Sequence, residues 1–307
     1  MSLERILAEL SDESKPLGYT ELCELSALSP EELRRFREAW ARMSTARQGQ
    51  IMDRLAALAE ENCGVNFDDI FRACLDDPVE MIRVKAIEGL WECDDRSLIA
   101  PLIAMLREDS EESVRAAAAT ALGRFAMLAE LGKLRPKDRA KVQKALFDAI
   151  ENQEEQLEVR RRAIEAISYL SLSKVRDIIR QAYEDGNAKM RASAIYAMGR
   201  NCDPVWLPLL IGELASFDSE MRFEAAGACG ELGSDEAVPH LIRLIYDIDT
   251  QVQLSAIAAL GHIGGSEAEE ALRQLLEHSE EYIRQAAKEA LEEVEQSEEP
   301  VSFKFES

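Results

Sequence analysis

Long apolar runs, basic residues, histidine and paired cysteines are all scarce in this sequence, and each shortage excludes something. The longest apolar run, around Val205 to Ile211, is far below the roughly 18 residues that cross a bilayer, so no transmembrane segment is expected. The six cysteines (Cys23, Cys63, Cys74, Cys93, Cys202, Cys229) form no C-x-x-C pair, and Glu4 and Arg5 interrupt the first turn where a secretion signal would be apolar. They read as reduced, mostly buried thiols of a cytoplasmic protein. Against 59 Asp and Glu stand only 36 Lys and Arg, and the net charge of −23 opposes general binding to a phosphate backbone. With 15 Gly and 9 Pro in 307 residues, 47% hydrophobic and 31% charged, the chain is a packed protein and not a disordered acidic tail. No catalytic triad, Gly-rich phosphate loop or His/Cys metal spacing stands out. An enzyme is therefore not expected, and neither a cofactor nor a metal is implied.

What the chain does contain is a repeat. The triplets Met81-Ile82-Arg83, Ser113-Val114-Arg115, Glu158-Val159-Arg160, Lys189-Met190-Arg191, Glu220-Met221-Arg222, Gln251-Val252-Gln253 and Tyr282-Ile283-Arg284 align, at intervals of 32, 45, 31, 31, 31 and 31. With the last residue of each triplet as the anchor, position +3 is always alanine: Ala86, Ala118, Ala163, Ala194, Ala225, Ala256 and Ala287. Position −1 is always apolar, and +7 is Leu90, Leu122, Ile167, Met198, Cys229, Leu260 or Leu291. These offsets draw one stripe along a helix, with a small residue at its centre where two helices can approach closely. A second helix precedes each, as in Leu98 to Leu106 or Val238 to Ile245, so each repeat is a helical hairpin. The turn between them carries acids at −6 and −4, such as Asp109 with Glu111 and Asp247 with Asp249. Short acids suit the turn and the cap of the following helix, and the anchor arginine can reach them to form a ladder along the stack.

The segments from Asp109 to Gly123 and from Asp247 to Gly261 resemble HEAT-like repeats, more narrowly the short kind named after phycobilisome lyases. The resemblance covers about residues 67 to 295 and implies an all-α fold: a right-handed α-α superhelix of about seven hairpin repeats. Departures occur at Gln253, where the arginine is missing, and at Ser216 and His278, where the first turn acid is missing. These predict a weaker ladder in the last three repeats. Deoxyhypusine hydroxylase, a HEAT-like metalloenzyme, takes its iron ligands from His-Glu pairs. Here His240, His262 and His278 are the sole histidines and none precedes Glu, so a site of that kind is excluded. HEAT-like DNA glycosylases need a basic groove, which the charge opposes. A bilin lyase-like accessory subunit stays open as an alternative.

Residues 1–62 are expected to form an N-terminal helical cap. Ser29-Pro30-Glu31-Glu32 is a capping box, followed by Leu33, Phe36, Trp40 and Met43 on one face. The solenoid spans 63–295, and its 45-residue interval places an insertion near 127–138. There Lys133, Arg135, Lys137, Arg139, Lys141 and Lys144 form a basic run, read as a solvated face or as an anion patch joined by Arg161 and Arg162. The third and weakest functional reading is nucleic-acid binding through that run. In the tail, 296–307, Val301, Phe303 and Phe305 alternate as a strand, an extended docking peptide or a frayed end would.

Positions +1 and +5 point away from the stripe, onto the surface lined by successive second helices, the concave one in HEAT-like stacks. Tyr196, Phe223 and Leu254 there are expected to form an exposed apolar strip, with Glu88, Arg161, Glu165 and Glu289 setting orientation. The leading expectation is a protein-binding scaffold or adaptor that takes a partner segment on this face.

Overall fold

The computed structural model describes residues 2–61 and 64–298, and among them all regular structure is helical. Two compact units divide after Ala166. The first holds α1 (Leu3–Ser11), α2 (Tyr19–Cys23), α3 (Pro30–Trp40), α4 (Thr45–Glu61), α5 (Asp68–Ala73), α6 (Glu80–Gly89), α7 (Ile99–Glu108), α8 (Glu112–Glu130), α9 (Pro136–Glu151) and α10 (Leu157–Ile167), which ends at the boundary. The second holds α11 (Ser173–Tyr183), α12 (Ala188–Asn201), α13 (Leu207–Glu213), α14 (Ser219–Leu232), α15 (Val238–Leu244), α16 (Thr250–Ile263), α17 (Ser266–Leu275) and α18 (Glu281–Glu298). Short 3-10 turns lead into α7, α13 and α15. No described helix is long and apolar enough to cross a membrane. Cys63 and the tail residues Val301, Phe303 and Phe305 lie outside the described residues.

Adjacent helices close hairpins, α5 on α6 and α7 on α8 in the first unit, α11 on α12 through α17 on α18 in the second. Successive second helices then pack on one another: α4, α6 and α8 in one unit, α12, α14, α16 and α18 in the other. The stripe explains this order. All seven alanines at +3 are fully buried, and the apolar residues at −1 are at most 2% exposed. A further close approach between second helices lies at +8. A β-carbon added at Gly199 would lie 2.6 Å from Ala228 Cα, and one at Gly230 would lie 2.9 Å from Ala259 Cα. Gly123 faces Ala166 and Gly261 faces Ala290 in the same way. Glycine at +8 against alanine at +6 of the next repeat is thus a contact close enough to exclude a β-carbon, and the fixed spacing of these glycines is the sequence signal for it.

The turns show why their polar residues recur. The −6 side chain accepts a hydrogen bond from the backbone N–H two residues on: Asp77 from Val79 (2.9 Å), Asp109 from Glu111 (3.0 Å), Asp185 from Asn187 (2.8 Å) and Asp247 from Asp249 (2.9 Å). Ser216 Oγ and His278 Nδ1 accept the equivalent bonds, at 3.4 and 3.2 Å, so the departures keep the turn. At −4, Asn187, Asp218 and Asp249 cap α12, α14 and α16 through their side chains. Replacing Asn187 with alanine should cost about 1 kcal/mol, read from urea midpoints.

The anchor arginines form the ladder. Arg83 donates two bonds of 2.8 Å to Asp109 of the next turn and one of 2.9 Å to the Asp77 carbonyl. Arg222 grips Asp247 at 2.7 and 2.8 Å and donates to the Ser216 carbonyl at 2.9 Å. Arg115 bridges to Glu155. The expected weakening of the last three repeats is therefore only partly met. Where Ser216 replaces the acid, Arg191 turns to Glu213 and the Tyr183 hydroxyl. Gln253 keeps the carbonyl contact, to Asp247 O at 2.8 Å, but lacks the charge, and the residue in register with it is His278. Arginine and acid are thus missing from the same rung. The pair Gln253→Arg with His278→Asp should restore it, with a favourable coupling of about 1 kcal/mol in a double-mutant cycle.

The insertion lengthens α8 and α9 and keeps a short loop between them at residues 131–135. α8 has 19 residues and α9 has 16, whereas α12, α14 and α16 have 14 each. Within the insertion Leu128 and Ala129, at the end of α8, are buried, whereas Lys133, Arg135 and Lys137 are exposed on the loop and the start of α9.

Candidate functional site

The second helices of the first unit enclose a groove of about 620 Å³. Val84, Ile87 and Glu88 of α6 line one side, Ala116 and Thr120 of α8 the other, and Glu158 and Arg162 of α10 also contribute. Trp91, just beyond α6, completes it and is 55% exposed. It stands at +8, the position that carries glycine in four other repeats. An indole there cannot make the close helix contact and is left facing solvent. The stripe reading did not single out Trp91. The break in the +8 glycine pattern marks it.

The residues expected to set orientation have separate environments. Glu88 is exposed in the groove. Arg161 is half-buried and bonds Glu158 at 2.6 Å, and Arg162 bonds both Glu158 and Glu165 at 2.8 Å. Burial would raise the Glu158 carboxyl, but Arg162 and Arg161 hold it below the usual carboxylate range. Both arginines thus pair with carboxylates of their own helix, α10.

That run divides by position. Lys137, Lys141 and Lys144 share one exposed stripe of α9, opposite the buried Val142, Ala145 and Leu146, while Lys133 and Arg135 precede the helix. Lys144 is held by Asp148, which also receives Arg107. Arg139 lies half-buried.

In the second unit the expected strip is uneven. Phe223 is 38% exposed on α14, whereas Leu254 on α16 is half-buried. Tyr196 on α12 is half-buried too, with the Arg200 guanidinium 5.5 Å from its ring. Glu289 on α18 is exposed and accepts a 2.7 Å bond from Gln285. Burial pushes the thiols of Cys74 and Cys229 up to about 12, so neither is a thiolate at neutral pH.

Hairpins stacked by their second helices, with an arginine-to-acid ladder joining consecutive turns, define an all-α solenoid of repeats. The family model for HEAT repeats matches at residues 69–146, 143–216, 177–249 and 242–303, and the chain belongs to the HEAT-repeat family. Among solved structures it is similar to the complex of CpcE and CpcF of phycocyanin lyase from Nostoc sp., at 18% identity and a TM-score of 0.54, covering 93% of this chain and 99% of that one. It also matches YibA of E. coli at 18% identity and a TM-score of 0.45, over 78% of this chain and 96% of that one. No curated protein matches. At these identities the likeness extends to the fold.

Proposed function

We propose that this protein is a non-catalytic scaffold that binds a segment of a partner protein on the surface of its second helices. The observation that carries this reading is the groove at α6, α8 and α10, apolar at Val84, Ile87, Ala116 and Trp91 and rimmed by charge. A half-exposed indole beside small side chains is the composition of an interaction surface, where aromatic anchors fill pockets on the partner. The apolar strip at Phe223, with Tyr196 and Leu254 behind it, extends the same kind of surface to the second unit.

Trp91 also supplies the test. Trp40 and Trp206 are 5% and 1% exposed, so solvent-dependent changes in tryptophan emission report the groove. Capture from the native host should return a partner whose addition shifts that emission to the blue. Thr120→Arg, on an exposed position, and Trp91→Ala should each abolish capture while the far-ultraviolet dichroism stays unchanged. Capture that persists in both variants removes the groove from consideration. Addition of a bilin should leave a flat difference spectrum in the visible. A visible absorption shift would favour a lyase-subunit role instead.

A further inference from the structure

The most exposed large apolar side chains of the described residues lie outside that groove. Phe217 is fully exposed and Ile248 is 99% exposed. Both stand at −5, at the tips of the turns that precede α14 and α16. Those helices pack directly on one another, so the two tips belong to neighbouring repeats. Other repeats place Pro78, Ser110, Glu155, Gly186 and Ser279 at this position, residues suited to a solvated turn. Tyr246, two residues before Ile248, is 63% exposed as well. The turn bonds are made by the side chains of Ser216, Asp218, Asp247 and Asp249 and by backbone, including the Phe217 carbonyl that accepts from Arg222 at 3.2 Å, while the Phe217 and Ile248 side chains stand out in solvent.

Next to the tips in sequence lies a shallow hollow of about 220 Å³ lined by Ser219, Glu220 and Phe223 from one repeat and Asp249 and Gln251 from the next. It is the size of one side chain. Its lining combines an aromatic ring with two carboxylates, which is the chemistry that holds an ammonium or guanidinium group. The surroundings carry the same sign. Between Asp203 and Ile263 stand ten carboxylates and two arginines; Asp203, Glu213, Glu231 and Asp247 are paired with Arg176, Arg191, Arg200 and Arg222, whereas Glu220 and Asp249 form no ion pair among the described residues.

We infer that the turn edge of Phe217, Ile248 and Phe223 is a docking surface for a basic amphipathic segment of a partner protein. Its apolar side chains rest on Phe217 and Ile248, and one lysine or arginine enters the hollow between Glu220 and Asp249. The charge decides the occupant. A second copy of this chain would bring its own acidic turn edge against this one, and an acidic peptide would meet the same repulsion. The surface is separate from the groove at Trp91, and either can fail without the other.

The test uses the full chain and a labelled synthetic peptide in which lysines are interleaved with leucines at helical spacing, together with a twin carrying glutamates for the lysines. The lysine peptide should bind, and the glutamate twin should not. Binding should weaken about tenfold or more in Phe217→Ser/Ile248→Ser and in Glu220→Gln/Asp249→Asn, the latter keeping an asparagine cap on α16. It should be unchanged in Glu267→Gln/Glu270→Gln, which removes the same charge from exposed positions of α17. Equal losses in the α17 variant would show diffuse charge attraction and overturn the inference. So would binding of the glutamate twin, or no binding of the lysine peptide. Sedimentation that shows a wild-type dimer dissolved by Phe217→Ser/Ile248→Ser would assign the edge to self-association and overturn it too.

Discussion

Gly199→Leu is expected to be among the most damaging single substitutions in the second unit. A β-carbon there would lie 2.6 Å from Ala228 Cα and 2.9 Å from its β-carbon, and the first of these is backbone that cannot rotate away. The helix pair α12 and α14 would have to separate, and the apolar stripe at −1, +3 and +7 would lose contact on both sides. Overpacking of this kind costs about 1–3 kcal/mol and more where backbone must shift. Glycine is otherwise a poor helix residue, about 1 kcal/mol worse than alanine in a helix interior, so its presence here is offset by close packing. Urea titration followed by far-ultraviolet dichroism checks the result. Gly186→Leu, at a turn glycine whose β-carbon would meet nothing within 4 Å, serves as the control and should have a much smaller effect.

Asp247→Asn should cost about 2–3 kcal/mol at neutral pH, because the nearly buried Arg222 guanidinium then loses its carboxylate. Asparagine can still accept the bond from Asp249 N–H, so the turn survives and the loss reports the rung. The cost is also pH-dependent. Hydrogen bonds from Arg222 hold the Asp247 carboxyl below its ordinary value, despite its burial. A carboxyl depressed in the folded state contributes stability above its unfolded pKa of about 3.9, and that stability is lost as pH falls through the lower folded value. The difference between wild type and variant should therefore be constant from neutral pH down to about pH 5 and shrink below about pH 4. Asp109 is likewise depressed: burial raises it, and the bonds from Arg83 outweigh that. A difference that stayed constant down to pH 2 would show that it does not come from the Asp247 charge and would remove the rung as its source.

The hairpins and their buried faces were legible because the residues that specify them repeat in register. Alanine at +3 and the apolar pair at −1 and +7 need no tertiary knowledge to be read as one helix face. The close contact was less legible. Alanine at +3 marks the buried centre of the stripe, but the helices also come close at Gly199, Gly230 and Gly261, one residue past +7, where the stripe alone does not point. The turn acids were readable as caps, whereas the redirection of Arg191 to Glu213 was not. It depends on which side chains of α13 come within reach once Ser216 offers no carboxylate.

The site was harder to read for a related reason. Offsets +1 and +5 identify a face but say nothing about depth on it, so Tyr196, Phe223 and Leu254 looked equivalent although only Phe223 is substantially exposed. Trp91, Phe217 and Ile248 break a repeated pattern at +8 and −5. A deviation is visible only after the glycine and turn positions have been given a physical role.

The rung missing at Gln253 and His278 gives this array a preferred place to come apart. In a linear stack each repeat is held by its neighbours alone, and α17 and α18 meet the preceding repeat without the ion pair that joins Arg222 to Asp247. Local opening should therefore start at the last hairpin, with amides of α17 and α18 exchanging with solvent through a partial unfolding that leaves α12 and α14 protected. The one rung without arginine or acid would then act as the point from which the protein unravels.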